Sequence, residues 1–112
     1  MNAEQTAVVS VVHLLVTREY DVLVAMTHGR RLSASELQFA VEAYGRTLVE
    51  LPQEALDGLD VVQIEGEEPP VFSVLVDLWT QEEGRSDLIL ELRLIERFQG
   101  AHEIEIMDLH AL

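Results

Sequence analysis

The chain reads as an α+β domain, with about three N-terminal helices packed on one face of a curved, cone-like antiparallel sheet of about four strands. Three observations predict this. Apolar residues recur at helical spacing before residue 45, and they alternate with period two after residue 70. Helical segments also come first and strands second, which puts the helices together on one side of the sheet. The 112 residues hold no repeat, linker or low-complexity tract, so residues 1–112 are expected to form one domain.

Residues 3–17, AEQTAVVSVVHLLVT, carry Thr6, Ser10, His13 and Thr17 at spacings of 4, 3 and 4 on an otherwise apolar segment. The dense valines would also suit a strand. The polar stripe at helical spacing decides for a helix. Residues 18–28 read as a second, shorter helix with Tyr20, Leu23 and Val24 inward, capped by Gly29. Ser33-Ala-Ser-Glu36 is a capping-box pattern that opens a third helix, which runs to Tyr44 and stops at Gly45.

From Arg46 the period changes. TLVEL is a short extended piece ended by Pro52, QEALDG a helical turn or loop, LDVVQIE a strand, and GEEPP a turn. VFSVLVDLWT, SDLILELRLIER and HEIEIMDLHAL then alternate as strands.

Apolar faces of neighbouring strands must meet, and a slip of one residue turns them apart. That condition pairs Leu78 with Leu88, Val76 with Leu90, Val74 with Leu92 and Phe72 with Leu94. Thr80 then faces Ser86 across a solvated QEEGR tip, in which Gly84 supplies a positive φ. The next hairpin turns at Phe98-Gln99-Gly100 and pairs Leu94 with Ile104 and Leu92 with Ile106. Arg93 falls opposite Glu105, an attractive pair that was not used to set the register.

Carried onward, the same register sets Asp108 opposite Leu90 and His110 opposite Leu88, both on the helix-covered face. Two ionisable groups would end an apolar row there. The face is therefore expected to open into a pocket lined by Val76, Leu78, Leu88 and Leu90, with Tyr20 and His13 approaching from the helices. A carboxylate beside an imidazole holds its tautomer and raises its basicity, so Asp108 and His110 are the candidate catalytic pair. The other face carries Leu75, Trp79, Ile89, Met107 and Leu109, too many apolar groups for a fully solvated surface. A symmetric homodimer is expected to cover them.

Composition narrows the function classes. Net charge is −14, which repels the nucleic-acid backbone and favours a cation or a basic protein. No apolar run approaches the ~18 residues of a membrane span, and MNAEQTAVVS does not read as a secretory leader. With no Cys there is neither disulfide nor thiolate chemistry. All seven basic residues are Arg, which suggests a GC-rich bacterial genome; a cytoplasmic location is expected. His13, His28, His102 and His110 are scattered, so no metal is implied. Phosphate-loop and nucleophile-elbow patterns are missing, and no cofactor is implied. The two arginines of HGRRL could hold an anion or serve only as a solvated loop between helices.

WTQEEGRSDLILEL and the ending EIEIMDLHAL resemble a small bacterial domain family without an assigned function. The order of helices followed by a curved antiparallel sheet resembles the SnoaL-like and ketosteroid-isomerase-like superfamily, the fold of nuclear transport factor two. That resemblance implies a pocket between sheet and helices and a dimer through the sheet. It sets Asp108 loosely in the place of an isomerase acid, but this sequence has no counterpart of the Tyr–Asp oxyanion pair.

Three functions follow as expectations. The first is a non-enzymatic, dimeric domain that binds a protein or small ligand in its cone. Another is an acidic immunity-type protein or inhibitor that masks a basic partner. The third is a small SnoaL-like enzyme that uses Asp108 and His110.

Overall fold

The structure is a computed structural model that describes residues 1–27, 31–97 and 101–112. The elements run α1 (Ala3–Val16), α2 (Tyr20–Met26), α3 (Ala34–Tyr44), β1 (Leu48–Val49), α4 (Gln53–Asp57), β2 (Asp60–Ile64), β3 (Val71–Thr80), β4 (Gly84–Glu96) and β5 (His102–Ala111). The expected α+β class is therefore the observed one: helices first, then an open, antiparallel sheet.

Helix boundaries follow from capping. In α1 the Gln5 N–H donates to Asn2 Oδ1 at 2.8 Å and the Asn2 N–H donates to Gln5 Oε1 at 3.1 Å. This capping box, legible as Asn2-x-x-Gln5, escaped the sequence reading. At the other end the Glu19 N–H reaches Leu14 O and the Arg18 N–H reaches Leu15 O. The paired bonds form a Schellman closure, with Arg18 at φ 60 in the left-handed place that glycine usually takes. The break delays α2 to Tyr20, two residues later than the sequence predicts. The box expected at Ser33 and Glu36 forms, and Gly45 ends α3 at φ 74. The cap expected at Gly29, His28 and Arg30 of HGRRL, and the turn at Phe98-Gln99-Gly100 lie outside the described residues.

Both short extended pieces join the sheet. β1 pairs with Trp79 and Thr80, and β2 pairs with residues from Val71 to Leu75 on the same edge of β3. The sheet thus has five strands where about four were predicted. Helix α4 fills the chain between β1 and β2, with Leu56 buried in the core and Gln5 Nε2 donating to Leu56 O at 3.1 Å.

The core lies between helices and sheet. Val8, Val11, Val12 and Leu15 from α1, Leu23 from α2, and Leu37 and Val41 from α3 meet Val74, Val76 and Leu78 of β3. Leu88, Leu90, Leu92 and Leu94 of β4 complete the layer. The alternate leucines look toward the helices, as their spacing predicts.

The predicted ladders hold in their middles and shift near one end of the sheet. Between β3 and β4, Phe72, Val74 and Val76 pair with Leu94, Leu92 and Leu90 as expected. Beyond Asp77 the register shifts, and Thr80 pairs with Gly84 instead of Ser86. The turn is only Gln81, Glu82 and Glu83, with Gly84 at φ 74. The shift is even, so Leu78 and Leu88 still share the inner face.

Between β4 and β5, Leu94–Ile104, Arg93–Glu105 and Leu92–Ile106 pair as predicted. The next pair is Glu91–Asp108, so Met107 is an extra residue. This odd shift reverses the faces of everything after it. Asp108 and His110 now lie beside Glu91 and Ile89 on the helix-free side, and Leu109 turns inward to 6% exposure.

Candidate functional site

The helix-free face is built from the residues that alternation sends away from the helices. Leu75, Asp77 and Trp79 come from β3, Ile89 and Glu91 from β4, and His110 from β5. With α4 as one wall they line an open groove of about 670 Å³. Leu75, at 42% exposure, and half-buried Trp79 give it apolar surface. Glu54, Asp60, Asp77 and Glu91 set four carboxylates on its lining, against one guanidinium from Arg85 and the imidazole of His110. The groove is thus apolar beneath and anionic around, a chemistry suited to a cationic group carried on an apolar stem.

Asp108 and His110 do come together, at the end of β5, where His110 borders both the sheet-face groove and a helix-side groove that Leu88 also lines, and Asp108 borders neither. His110 Nδ1 lies 2.8 Å from Asp108 Oδ2, and both side chains are about half exposed. The other carboxylate oxygen, Oδ1, accepts the Leu109 N–H at 2.9 Å. Asp108 therefore ties down the backbone just past the bulge. Only His110 of the pair reaches the groove.

The other pocket residues are placed differently from the prediction. Val76, Leu78, Leu88 and Leu90 are packed at 0–1% exposure, and of these four only Leu88, together with His110, borders a groove on the helix side, between α3 and the end of β5. His13 is exposed and takes Glu50 as its partner, Nδ1 to Oε1 at 2.8 Å, instead of approaching Asp108. Tyr20 is buried with its hydroxyl unpartnered, and burial pushes the phenol above its ordinary range. It borders a shallow cleft with Arg18 and Glu42 between α2 and α3.

Of the residues expected at a subunit contact, Leu75, Trp79, Ile89 and Met107 stay off the helix-covered row. Leu109 leaves that set, because the odd register shift carries it into the core.

The acidic turn is solvated, as expected, with Gln81, Glu82, Glu83 and Arg85 exposed, and it is also a clamp. Glu82 accepts the Thr47 N–H and the Thr47 hydroxyl, each at 2.9 Å. The backbone donor of Thr47 holds the Glu82 carboxyl below the ordinary carboxylate range. Glu83 accepts from Thr80 Oγ1 and from the Tyr44 hydroxyl, both at 3.0 Å, and Tyr44 in turn accepts the Asp87 N–H at 3.1 Å. Helix α3, the β1 edge and the β3–β4 turn are pinned together at one place. Thr47 and Tyr44 are more than 30 positions away in sequence, so short-range spacing carried no signal for this clamp. Among the described residues, no group of three His, Asp or Glu side chains is placed to hold a metal ion.

Fold and surface together define a small α+β domain with a packed helical side and an open sheet side. Residues 12–112 match the family described as a domain of unknown function, DUF7668, and the chain belongs to it. Comparison with curated proteins and with solved structures gives no significant match. No helix among the described residues is long and apolar enough to cross a membrane.

Proposed function

We propose that this domain is a non-enzymatic binding module that takes a basic, partly apolar protein segment across its helix-free groove. The observation that carries the reading is the pairing of Leu75 and Trp79, over the buried Ile89, with four carboxylates on one open surface. A basic occupant neutralises those carboxylates and covers the apolar strip in one step. A second copy of the chain would cover the strip as well. It would also press like charges together from two chains of net charge −14, which favours the basic partner over the symmetric dimer.

Trp79 is the only tryptophan, so the groove carries its own reporter. Titration with a short synthetic peptide of arginine and leucine should give a saturable blue shift of Trp79 emission. The affinity should fall as added salt shortens the screening length from ~30 Å at 0.01 M to ~8 Å at 0.15 M. Replacing Asp77→Asn and Glu91→Gln together should weaken binding by about tenfold, or ~1.4 kcal/mol. The pair Glu4→Gln and Asp21→Asn changes net charge equally but lies on the helices, and it should leave binding nearly intact. An unshifted Trp79 spectrum, or equal losses from both pairs, overturns the reading.

A further inference from the structure

The groove on the sheet face leaves a second feature unexplained. Strand β5 is the end of the sheet, and among the described residues it pairs only with β4. A terminal strand ten residues long has one side without a strand partner among the described residues, and backbone donors and acceptors on such a side are a template for another strand. Natural edges are commonly blunted, and here the device is local: the bulge at Met107 and the Asp108 carboxylate on the Leu109 N–H.

Beside this edge, on the helix-covered side, lies a groove of about 630 Å³ between α3 and the last turns of β5. Its walls are mostly apolar, with Phe39, Ala40 and Ala43 from α3 and Leu109 and Ala111 from the strand, and Glu36 and His110 are among the polar residues on them. Phe39 is 74% exposed, the most exposed aromatic ring among the described residues. It lies outside the Leu37 and Val41 row that packs on the core, so core packing does not account for it. On the opposite side of β5, Glu105 and Asp108 project with the helix-free face, Glu105 opposite Arg93 of β4 and Asp108 beside His110, so a cation on an added strand would be the second basic neighbour of each carboxylate.

We infer that β5 accepts an additional strand, and that its occupant is an extended protein segment alternating apolar and basic side chains. A strand laid against β5 sends its residues alternately to the two faces of the sheet. Those on the helix side enter the apolar groove beside Phe39, Ala40 and Ala43. Those on the other side stand next to Glu105 and Asp108, where opposite charge is favourable across a strand pair. Main-chain bonds to the edge then supply affinity, and the two-faced pattern supplies selectivity. A second copy of β5 fits this surface less well, because its own carboxylates would meet Glu105 and Asp108. This surface adjoins the sheet-face groove at His110, which lines both, but the inference does not depend on that groove being occupied.

The test compares two synthetic peptides of equal composition, one alternating valine and arginine, the other with its valines and arginines in separate blocks. Amide hydrogen exchange over residues 102–111 should slow on adding the alternating peptide and should change little with the block peptide. Phe39→Ser alters a side chain that is 74% exposed and outside the core, so the fold should persist while the alternating peptide binds about tenfold more weakly. Trp79 emission reports the other groove separately, so failure here and failure there are distinguishable. Equal protection by the two peptides, unchanged β5 exchange, or binding indifferent to Phe39→Ser would overturn the inference. It would equally fall if sedimentation showed a dimer without peptide whose dilution exposes the β5 amides, for then a second copy holds the edge.

Discussion

Two irregularities interrupt the ladders on either side of β4, and their consequences differ completely. On the β3 side, residues 86–88 of β4 stand opposite Leu78 alone, two more than a regular ladder would hold. On the β5 side, Met107 is a single extra residue. Side chains alternate with period two, so an excess of two leaves every later residue on its original face, whereas an excess of one reverses them all. The first bulge therefore alters bonding without altering the core. The second exchanges Leu109 for Asp108 on the inner face and delivers His110 to the groove.

The largest expected effect comes from separating the two sides of that reversal. Leu109 is 6% exposed inside the core, whereas Met107 is half-buried. Leu109→Ala should cost about 2–5 kcal/mol of unfolding free energy, as deletion of a packed leucine does. Met107→Ala should stay within about 1 kcal/mol. Denaturant midpoints at constant slope would measure both. A regular ladder predicts Leu109 on the open side, so a small loss at Leu109 would break the comparison.

The even bulge is held by a hydroxyl. Ser86 Oγ donates to Leu78 O at 2.6 Å and accepts the Leu88 N–H at 3.2 Å, all within buried surroundings. The side chain substitutes for ladder bonds that the two extra residues displace. Ser86→Ala leaves a buried carbonyl and a buried N–H without these partners and should cost about 1–3 kcal/mol. The loss should be smaller than that of Leu109→Ala, because no apolar volume is removed. The inner-face leucines should keep their hydrogen-exchange order, since the parity of the strand does not depend on Ser86.

These two places also show what could be read from the sequence. The leucines of β4 recur every second residue for seven positions, and matching them to the apolar rows of the neighbouring strands pairs Phe72 with Leu94 and Leu92 with Ile106, while the order of helices before strands assigns the helices to one side. The capping box at Ser33 and the stop at Gly45 were equally legible, because local hydrogen-bond chemistry decides them. Asp108 and His110 were misplaced for the converse reason. A bulge depends on how two strands twist and close against their neighbours, and EIEIMDLHAL shows only a break in alternation at Met107-Asp108. That break admits two readings, polar groups pointing inward or an extra residue. Burial cost favours the second, because an inward carboxylate among leucines would need a partner. The sheet-face groove was half visible in Leu75, Trp79 and Ile89. Its wall from α4 was not, since Gln53–Asp57 has no contact signal in its own five residues.

The smallest effect tests the clamp that fastens the end of the even bulge. The carboxyl of Glu82 is held low in the folded chain by the Thr47 N–H and loses that donor on unfolding. A depressed folded pKa means that the unfolded chain binds the proton more tightly, so the associated stability is present above the unfolded carboxylate pKa of about 4.3. It is lost as pH falls through the lower folded value. Because Glu82 is exposed, water screens the interaction and the contribution is minor. Glu82→Gln keeps a carbonyl acceptor but has no proton to gain. Unfolding curves taken from neutral pH down to about pH 3 should therefore show a shallower acid loss in the variant than in the parent, with near-equal stability at the acid end. Matching slopes in the two proteins would mean that the Thr47 contact is no stronger in the folded state than water is to the free carboxylate. The turn would then owe its place to Glu83, Tyr44 and the Gln81 N–H bond to Thr47 O.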